Sequence, residues 1–378
     1  MSSNLGHSIR LMLSSSLRGN GSIRIRSALG KESTLQLTQD NAHYADDAEK
    51  EDHCEDYGNY EDDAEDESHP YEDHIELKNY LDDVADALKK SKNESEIAAA
   101  FNEKLSQMVY GSNMIEAVGS SSLDITSELC RDIFAGGIDA NDVEISDRDP
   151  TYQAIRADLS EKKKPNAHED VLRTRHEVIQ HAKAAYFIIN EVAIKGKDMS
   201  EEIILETHRL LTYKIDSPDG IPSSEYGGIY RNCPVQRGFH SFPHQATVPK
   251  AVRDLAVSLK VDIAVSEASG EIDPVALAAK YCHKFVNIHP FLDGNSRTSR
   301  LILNTILLKY GGCFVWFGKD AIEREEYMDI AAEGFAAEAL TMQQEEMDDL
   351  PEGFKPKHHK KLATFTLKHV YKYFSIFN

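Results

Sequence analysis

Two apolar helical runs, residues 274–288 and 297–310, meet at the segment His289-Pro290-Phe291-Leu292-Asp293-Gly294-Asn295-Ser296. Pro290 lacks an N–H and clashes with the turn before it, so the first helix must stop there. Gly294 permits a left-handed backbone, and Asn295 and Ser296 are good N-cap residues for a helix starting at Arg297. The chain is therefore forced into a tight turn whose backbone amides converge just ahead of a helix N-terminus. Such an end binds phosphate through its free N–H groups and the helix dipole. Arg297 and Arg300 are three residues apart, so they share a face and can clamp a polyphosphate. Leu301, Ile302, Leu303, Ile306, Leu307 and Leu308 make the second helix apolar nearly all round, which predicts a central, buried position.

The remaining polar residues complete a reaction centre. His289 is suited to general-base work near neutral pH, and Asp293 offers the single hard oxygen that a phosphate-bound magnesium takes from a protein. Singly, each has an ordinary explanation. A His-Pro pair is a helix stop, Asp-Gly-Asn a turn, two arginines at this spacing a solvated face, and His289 with Asp293 could be metal ligands of a hydrolase. In combination the segment resembles the signature of the Fic family, His-x-Phe-x-Asp/Glu-Gly-Asn-Gly-Arg-x-x-Arg. The resemblance implies an all-α fold, a helical bundle with a short β-hairpin flap, and transfer of AMP from ATP to a Ser, Thr or Tyr hydroxyl of a target protein. It implies that His289 deprotonates that hydroxyl and Phe291 anchors the loop. Asp293 would hold Mg²⁺ (or Mn²⁺), Gly294, Asn295 and Ser296 would cradle the phosphates, and Arg297 and Arg300 would bind the β- and γ-phosphates. Ser296 stands where the family has Gly; a positive φ there would cost about 1–2 kcal/mol, whereas a position that only donates its amide would tolerate Ser.

Further matches extend the resemblance over roughly residues 95–345. Residues 229–240 read as an extended hairpin, Ile229-Tyr230-Arg231 and Val235 to Gly238 about a turn at Asn232-Cys233-Pro234. The family's flap docks a target segment by strand addition, which assigns that role to Arg231, Val235 and Gly238; a packing role is the alternative. Tyr327 matches a position that packs on the nucleotide base, or is a core tyrosine. His208 and His283 lie in apolar helical runs and read as structural. Ser112-Asn113-Met114-Ile115-Glu116-Ala117 resembles the family's inhibitory motif, Ser/Thr-x-x-x-Glu-Gly/Asn. Ser112 and Glu116 share a helix face, so the Glu116 carboxylate can pair with Arg300 and deny the γ-phosphate its partner. Ala117 departs from the pattern.

Charge and composition bound the rest. The net charge of −22 is uneven: residues 1–31 hold five basic residues and no acid, while 32–76 are strongly acidic with one lysine, Lys50. An acidic body argues against nucleic acid as a partner, and no apolar run approaches the ~20 residues that span a bilayer. Five scattered cysteines without a CxxC pair fit a reducing compartment, cytoplasmic or nuclear. The Ser/Arg-rich start also has the composition of a mitochondrial presequence, with a disordered basic tail as the alternative. Helical periodicity is expected over 75–105, 168–191, 203–211 and 252–261. These patterns divide the chain into a disordered arm over 1–74, a helical region over 75–165 carrying the inhibitory motif, a catalytic core over 166–345 and a basic tail over 346–378. Removal of AMP by the same residues, a non-catalytic protein-binding module disabled by Ser296, and a donor such as UTP are the competing readings.

Overall fold

A computed structural model describes residues 3–16, 24–26, 32–35, 94–137, 145–237, 240–269, 271–346 and 358–374. Its helices are α1 (Leu5–Ser16), α2 (Glu94–Ile115), α3 (Leu123–Phe134), α4 (Pro150–Glu161), α5 (His168–Ile188), α6 (Glu201–Thr212), the single turn α7 (Ser223–Tyr226), α8 (Val248–Ser269), α9 (Pro274–Ile288), α10 (Asn295–Ile306), α11 (Ala321–Glu346) and α12 (Lys360–Phe374). Strands are short. β1 (Arg24–Arg26) pairs antiparallel with β2 (Glu32–Leu35), which pairs parallel with β5 (Glu271–Ile272); β3 (Gln236–Arg237) pairs antiparallel with β4 (His240–Ser241). Among the described residues no helix is long and apolar enough to cross a membrane.

The bundle is built around α10, where every residue from Arg297 to Ile306 is buried, as its all-round apolar sequence predicts. α9 stops at Ile288, two residues before Pro290, and His289 takes a left-handed φ of 48° as its C-cap. α10 starts two residues earlier than expected. Gly294, at φ 76°, is the N-cap, so Asn295 and Ser296 lie inside the helix and do not cap it. α5 and α6 pack beside α10, and α2 crosses it with its C-terminal end. The expected helix over 75–105 is present from Glu94; residues 75–93 lie outside the described residues.

Three expectations need correction. The hairpin is displaced: its strands are Gln236–Arg237 and His240–Ser241, and Ile229 to Arg231 are not in it. The backbone of that segment is already engaged, with Gly228 N donating to His208 Nδ1 (2.9 Å) and Arg231 N to Pro290 O (2.9 Å). Residues 3–16 are not a disordered tail, while most of 1–74 lies outside the described residues. Asn4 Oδ1 accepts from His7 N (3.0 Å), capping α1, and Leu5, Ile9 and Leu13 bury against α2. The helices approach so closely at Gly6 that an added Cβ would lie 2.2 Å from Ala98 O. Gly6 N donates to Asn102 Oδ1 (2.9 Å) and Tyr186 Oη to Ser3 O (2.6 Å). Within the basic C-terminal region α12 is likewise part of the bundle; residues 347–357 and 375–378 lie outside the described residues. Leu362, Ala363, Phe365 and Val370 of α12 are buried, because with Thr366 and His369 they recur at helical spacing on the side that meets α9 and α11.

Because Ile9 is fully buried, Ile9→Ala should lower the unfolding free energy by about 2–4 kcal/mol. Urea denaturation measures this; an unchanged midpoint would mean that α1 does not dock.

Candidate active site

The loop between α9 and α10 is held by hydrogen bonds from buried side chains to backbone atoms. Asn295 Oδ1 accepts from Phe291 N (2.9 Å) while its Nδ2 donates to Phe291 O (2.8 Å), closing the turn on itself. Phe291 is fully buried and stacks face to face on His208, with ring centroids 3.6 Å apart and planes 5° apart. His208 Nδ1 accepts from Gly228 N, so its proton sits on Nε2 and is donated to Asp293 O (2.8 Å). Burial pushes the His208 pKa down to about 4, which keeps the ring neutral. Arg231, 3 % exposed, fans over backbone carbonyls. Nε donates to His289 O (2.6 Å), Nη1 to Cys233 O (3.0 Å) and Nη2 to Pro243 O (2.6 Å). Its cation also lies at the C-terminal end of α9, where the helix dipole favours it.

Donors are left over at the start of α10. The first intrahelical bond runs from Thr298 N to Gly294 O (2.9 Å), so the amides of Asn295, Ser296 and Arg297 precede it. Gly294 gives the helix no side-chain cap. Arg297 is buried, donates Nη2 to Asp293 Oδ2 (3.1 Å), and has no partner for Nε or Nη1. Buried guanidinium donors without partners are rare and point to an anion that completes them. Ser296 is not among the residues with positive φ; helical backbone accepts Ser there without strain.

Arg300, 2 % exposed, is occupied from the other side. Nε donates to Ser112 Oγ (2.8 Å), and Nη2 to Ser112 O (2.9 Å) and Glu116 Oε1 (2.8 Å). The guanidinium also lies 5.5 Å from the centre of the Tyr327 ring. Burial works against its charge, but Glu116 and Tyr327 outweigh this and push its pKa up. α2 ends at Ile115, and Ala117 takes φ +56°. The family pattern has Gly or Asn at that position, the residues that accept a left-handed backbone most readily, so the departure at Ala117 has a local conformational cost. The helix end is tied to α5. His181 Nδ1 bonds Asn113 Oδ1 (2.7 Å) and Glu177 Oε2 accepts from Gly119 N (2.6 Å). Burial, then the nearby Arg297 and Arg300, hold His181 well below its usual pKa.

The turn thus presents three amides at a helix start beside two buried arginines, one of them paired with Glu116. The Fic/DOC family model matches residues 198–307. The chain carries a Fic/DOC family domain. Its relatives include the protein adenylyltransferase Fic of Drosophila willistoni, 36 % identical over 138 residues covering 36 % of this chain and 25 % of that protein. The Drosophila melanogaster protein of the same name is 34 % identical over a stretch of the same extent. The chain thus spans about a quarter of the length of these relatives. In fold, the structure resembles a Fic domain containing signaling protein from Bacteroides thetaiotaomicron, with a TM-score of 0.54, 17 % identity and coverage of 80 % and 96 %. It also resembles Fic-1 from C. elegans, with a TM-score of 0.50, 19 % identity and coverage of 80 % and 71 %.

The Fic/DOC domain brings Asp293, Gly294, Asn295, Ser296 and Arg297 onto one turn beside His289, and places Arg300 against Glu116. Several expected roles change. Asn295 spends its side chain bracing the loop and keeps its amide at the open start of α10. Arg231 is buried with its guanidinium on carbonyls, so it clamps the loop and does not dock a target. Tyr327, 6 % exposed, packs its ring on Phe317 (5.4 Å) and Arg300, which places it behind the arginine as a core residue. Val235 contributes its carbonyl to Phe242 N (3.3 Å); Gly238 lies outside the described residues. Asp293 keeps its carboxylate 29 % exposed and anchored through one oxygen, which fits a divalent cation that otherwise takes phosphate and water ligands. Sequence reasoning read His208 only as structural and did not single out His181 or Phe242, whose ring stacks on His289 at 4.0 Å. Their buried helical positions or flap context gave no separate signal.

Ala117→Gly should stabilise the domain by about 0.5–1 kcal/mol. The relief of a left-handed alanine exceeds the added freedom of glycine in the unfolded chain. Chemical denaturation reads the change; destabilisation would mean that the left-handed turn after Glu116 does not form.

Proposed function

We propose that this protein is an adenylyltransferase that moves AMP from ATP to a Ser, Thr or Tyr hydroxyl of a target protein, restrained by its own Glu116. The observation that carries the reading is the Arg300 guanidinium, the natural partner of a terminal phosphate, held instead by Glu116 and Ser112. Relatives bearing the name protein adenylyltransferase share the matched region. In the proposed reaction the hydroxyl oxygen attacks the α-phosphorus, the bond to the β-phosphate breaks, pyrophosphate leaves, and His289 takes the hydroxyl proton. His289 Nδ1 lies 3.3 Å from Val286 O, so Nδ1 carries the ring proton and Nε2 is the accepting atom. The amides of α10 and Arg297 hold the phosphates, so that most of the catalysis is positioning and charge stabilisation. A divalent cation at Asp293 would supply further neutralisation of the polyphosphate.

Glu116 blocks this by geometry. Removing one partner of a fully buried ion pair costs about 3–5 kcal/mol, and less here because the Glu116 side chain is 30 % exposed. That strength holds Arg300 at rest yet lets the pair open. The same exposure supports a second reading, removal of AMP from a modified target, in which the carboxylate aligns a water.

With α-labelled ATP and a divalent cation, the wild type should label itself weakly and Glu116→Gly at least about tenfold more. Glu116→Gly combined with Arg300→Ala should fall back to the wild-type level, because the freed guanidinium is then missing. Equal labelling of wild type and Glu116→Gly would remove the inhibitory role, and absence of labelling in every variant would count against adenylyl transfer.

A further inference from the structure

We propose that Arg324, in the first turn of α11, is a positioning residue for inhibition: it fixes the peptide that carries Glu116 and makes the start of α11 part of the restraint on Arg300. The inference rests on the reading of Glu116 as the residue that holds adenylyl transfer in check. A helix leaves its last four carbonyls without partners inside it, and those of α2 belong to Ser112, Asn113, Met114 and Ile115. The turn that follows satisfies two of them. Asn113 O accepts from Glu116 N and Val118 N (both 3.1 Å), and Met114 O from Ala117 N (3.1 Å). Arginines satisfy the other two. Ser112 O accepts from Arg300 Nη2 (2.9 Å) and Ile115 O from Arg324 Nε (2.8 Å). Both cations also meet the negative end of the α2 dipole.

The Ile115 C=O and the Glu116 N–H belong to one planar peptide unit. Arg324 holds its oxygen and Asn113 O holds its N–H, so the plane is fixed from both ends. Fixed with it is the direction in which the Glu116 side chain leaves the backbone to reach Arg300 (2.8 Å). The ties from α5, to Asn113 and Gly119, fall before and after this unit. Arg324 is itself well placed, because side chains close the first turn of α11. Asp320 O accepts from Arg324 N (3.1 Å), Asp320 Oδ1 from Glu323 N (2.9 Å) and Glu323 Oε2 from Lys319 N (3.0 Å). One turn further along, the Tyr327 ring lies 5.5 Å from the Arg300 guanidinium. α11 thus supports both members of the ion pair, the glutamate through Arg324 and the arginine through Tyr327.

The test uses the full chain and two variants that differ in a single group. Arg324→Met keeps the stem and puts a methyl where Nε stands, whereas Arg324→Gln puts an amide nitrogen there. With α-labelled ATP and a divalent cation, Arg324→Met should label itself about 3–10-fold more than wild type, and Arg324→Gln less than about twofold more. In a chain already carrying Glu116→Gly, either substitution should change labelling by less than about twofold, since the residue it positions is gone. A residue that merely supported the fold would lower labelling in both backgrounds. Wild-type labelling by Arg324→Met, an equal rise in the Glu116→Gly background, or Arg324→Gln as active as Arg324→Met would overturn the proposal. A second readout needs no transfer. Hydrogen exchange at the amides of Glu116, Ala117 and Val118, measured without nucleotide, should be at least about threefold faster in Arg324→Met and near wild type in Arg324→Gln. Unchanged exchange in Arg324→Met would overturn the proposal even where nothing is labelled. Failure of the functional reading shows differently, as absence of labelling in the Glu116→Gly parent itself.

Discussion

Arg300 has one guanidinium and two claims on it. From α10 it stands three residues beyond Arg297, at the turn whose amides are open to an anion; from α2, Ser112 and Glu116 close on it through three hydrogen bonds of 2.8–2.9 Å. A buried cation must have a partner, so in the proposed reaction the end of α2 and a phosphate would compete for the same site. The rest of the bundle serves to place those two elements against each other. α5 holds the end of α2 through Asn113–His181 and Gly119–Glu177, and α1 lies along the outside of α2. Tyr327, Phe317 and Phe365 of α12 fill the space behind the arginine.

The loop facing Arg300 is prepared in a complementary way. Its braces spend their polar groups on backbone atoms: Asn295 on Phe291, His208 between Gly228 and Asp293, Arg231 on His289, Cys233 and Pro243. None of these consumes the charge that a polyphosphate would meet. His208 is kept neutral by burial, so it adds no charge behind the loop. A rigid loop with unpaired donors costs stability in the resting protein but no reorganisation when the anion arrives.

Much of this was legible in the sequence because its determinants are local. Pro290 stops α9, Gly294 takes the left-handed turn, and the apolar run after Arg300 buries α10, all within 20 residues. Ser112 and Glu116 were legible through their spacing. What escaped depends on contacts between distant segments. Nothing in Leu5, Ile9 and Leu13 says that they face Ala98 and Phe101, and the basic, serine-rich composition around them pointed to a tail. Arg231 took a docking role from the resemblance of its segment to the family's flap; only the fold shows four carbonyls converging on it. Ser296 and Ala117 illustrate the same limit in backbone terms. The departure that looked costly, Ser296, is helical, while the apparently mild one, Ala117, carries the positive φ.

If Arg300 is held by Glu116 and Ser112, its guanidinium is not offered to a third phosphate in the resting protein. Calorimetric titration of the wild type with ATP and with ADP, each with a divalent cation, tests this directly. The account predicts dissociation constants within about threefold of each other, because the γ-phosphate adds no paired charge. ATP binding ten times or more tighter than ADP would show that Arg300 is available in the wild type, and would contradict it.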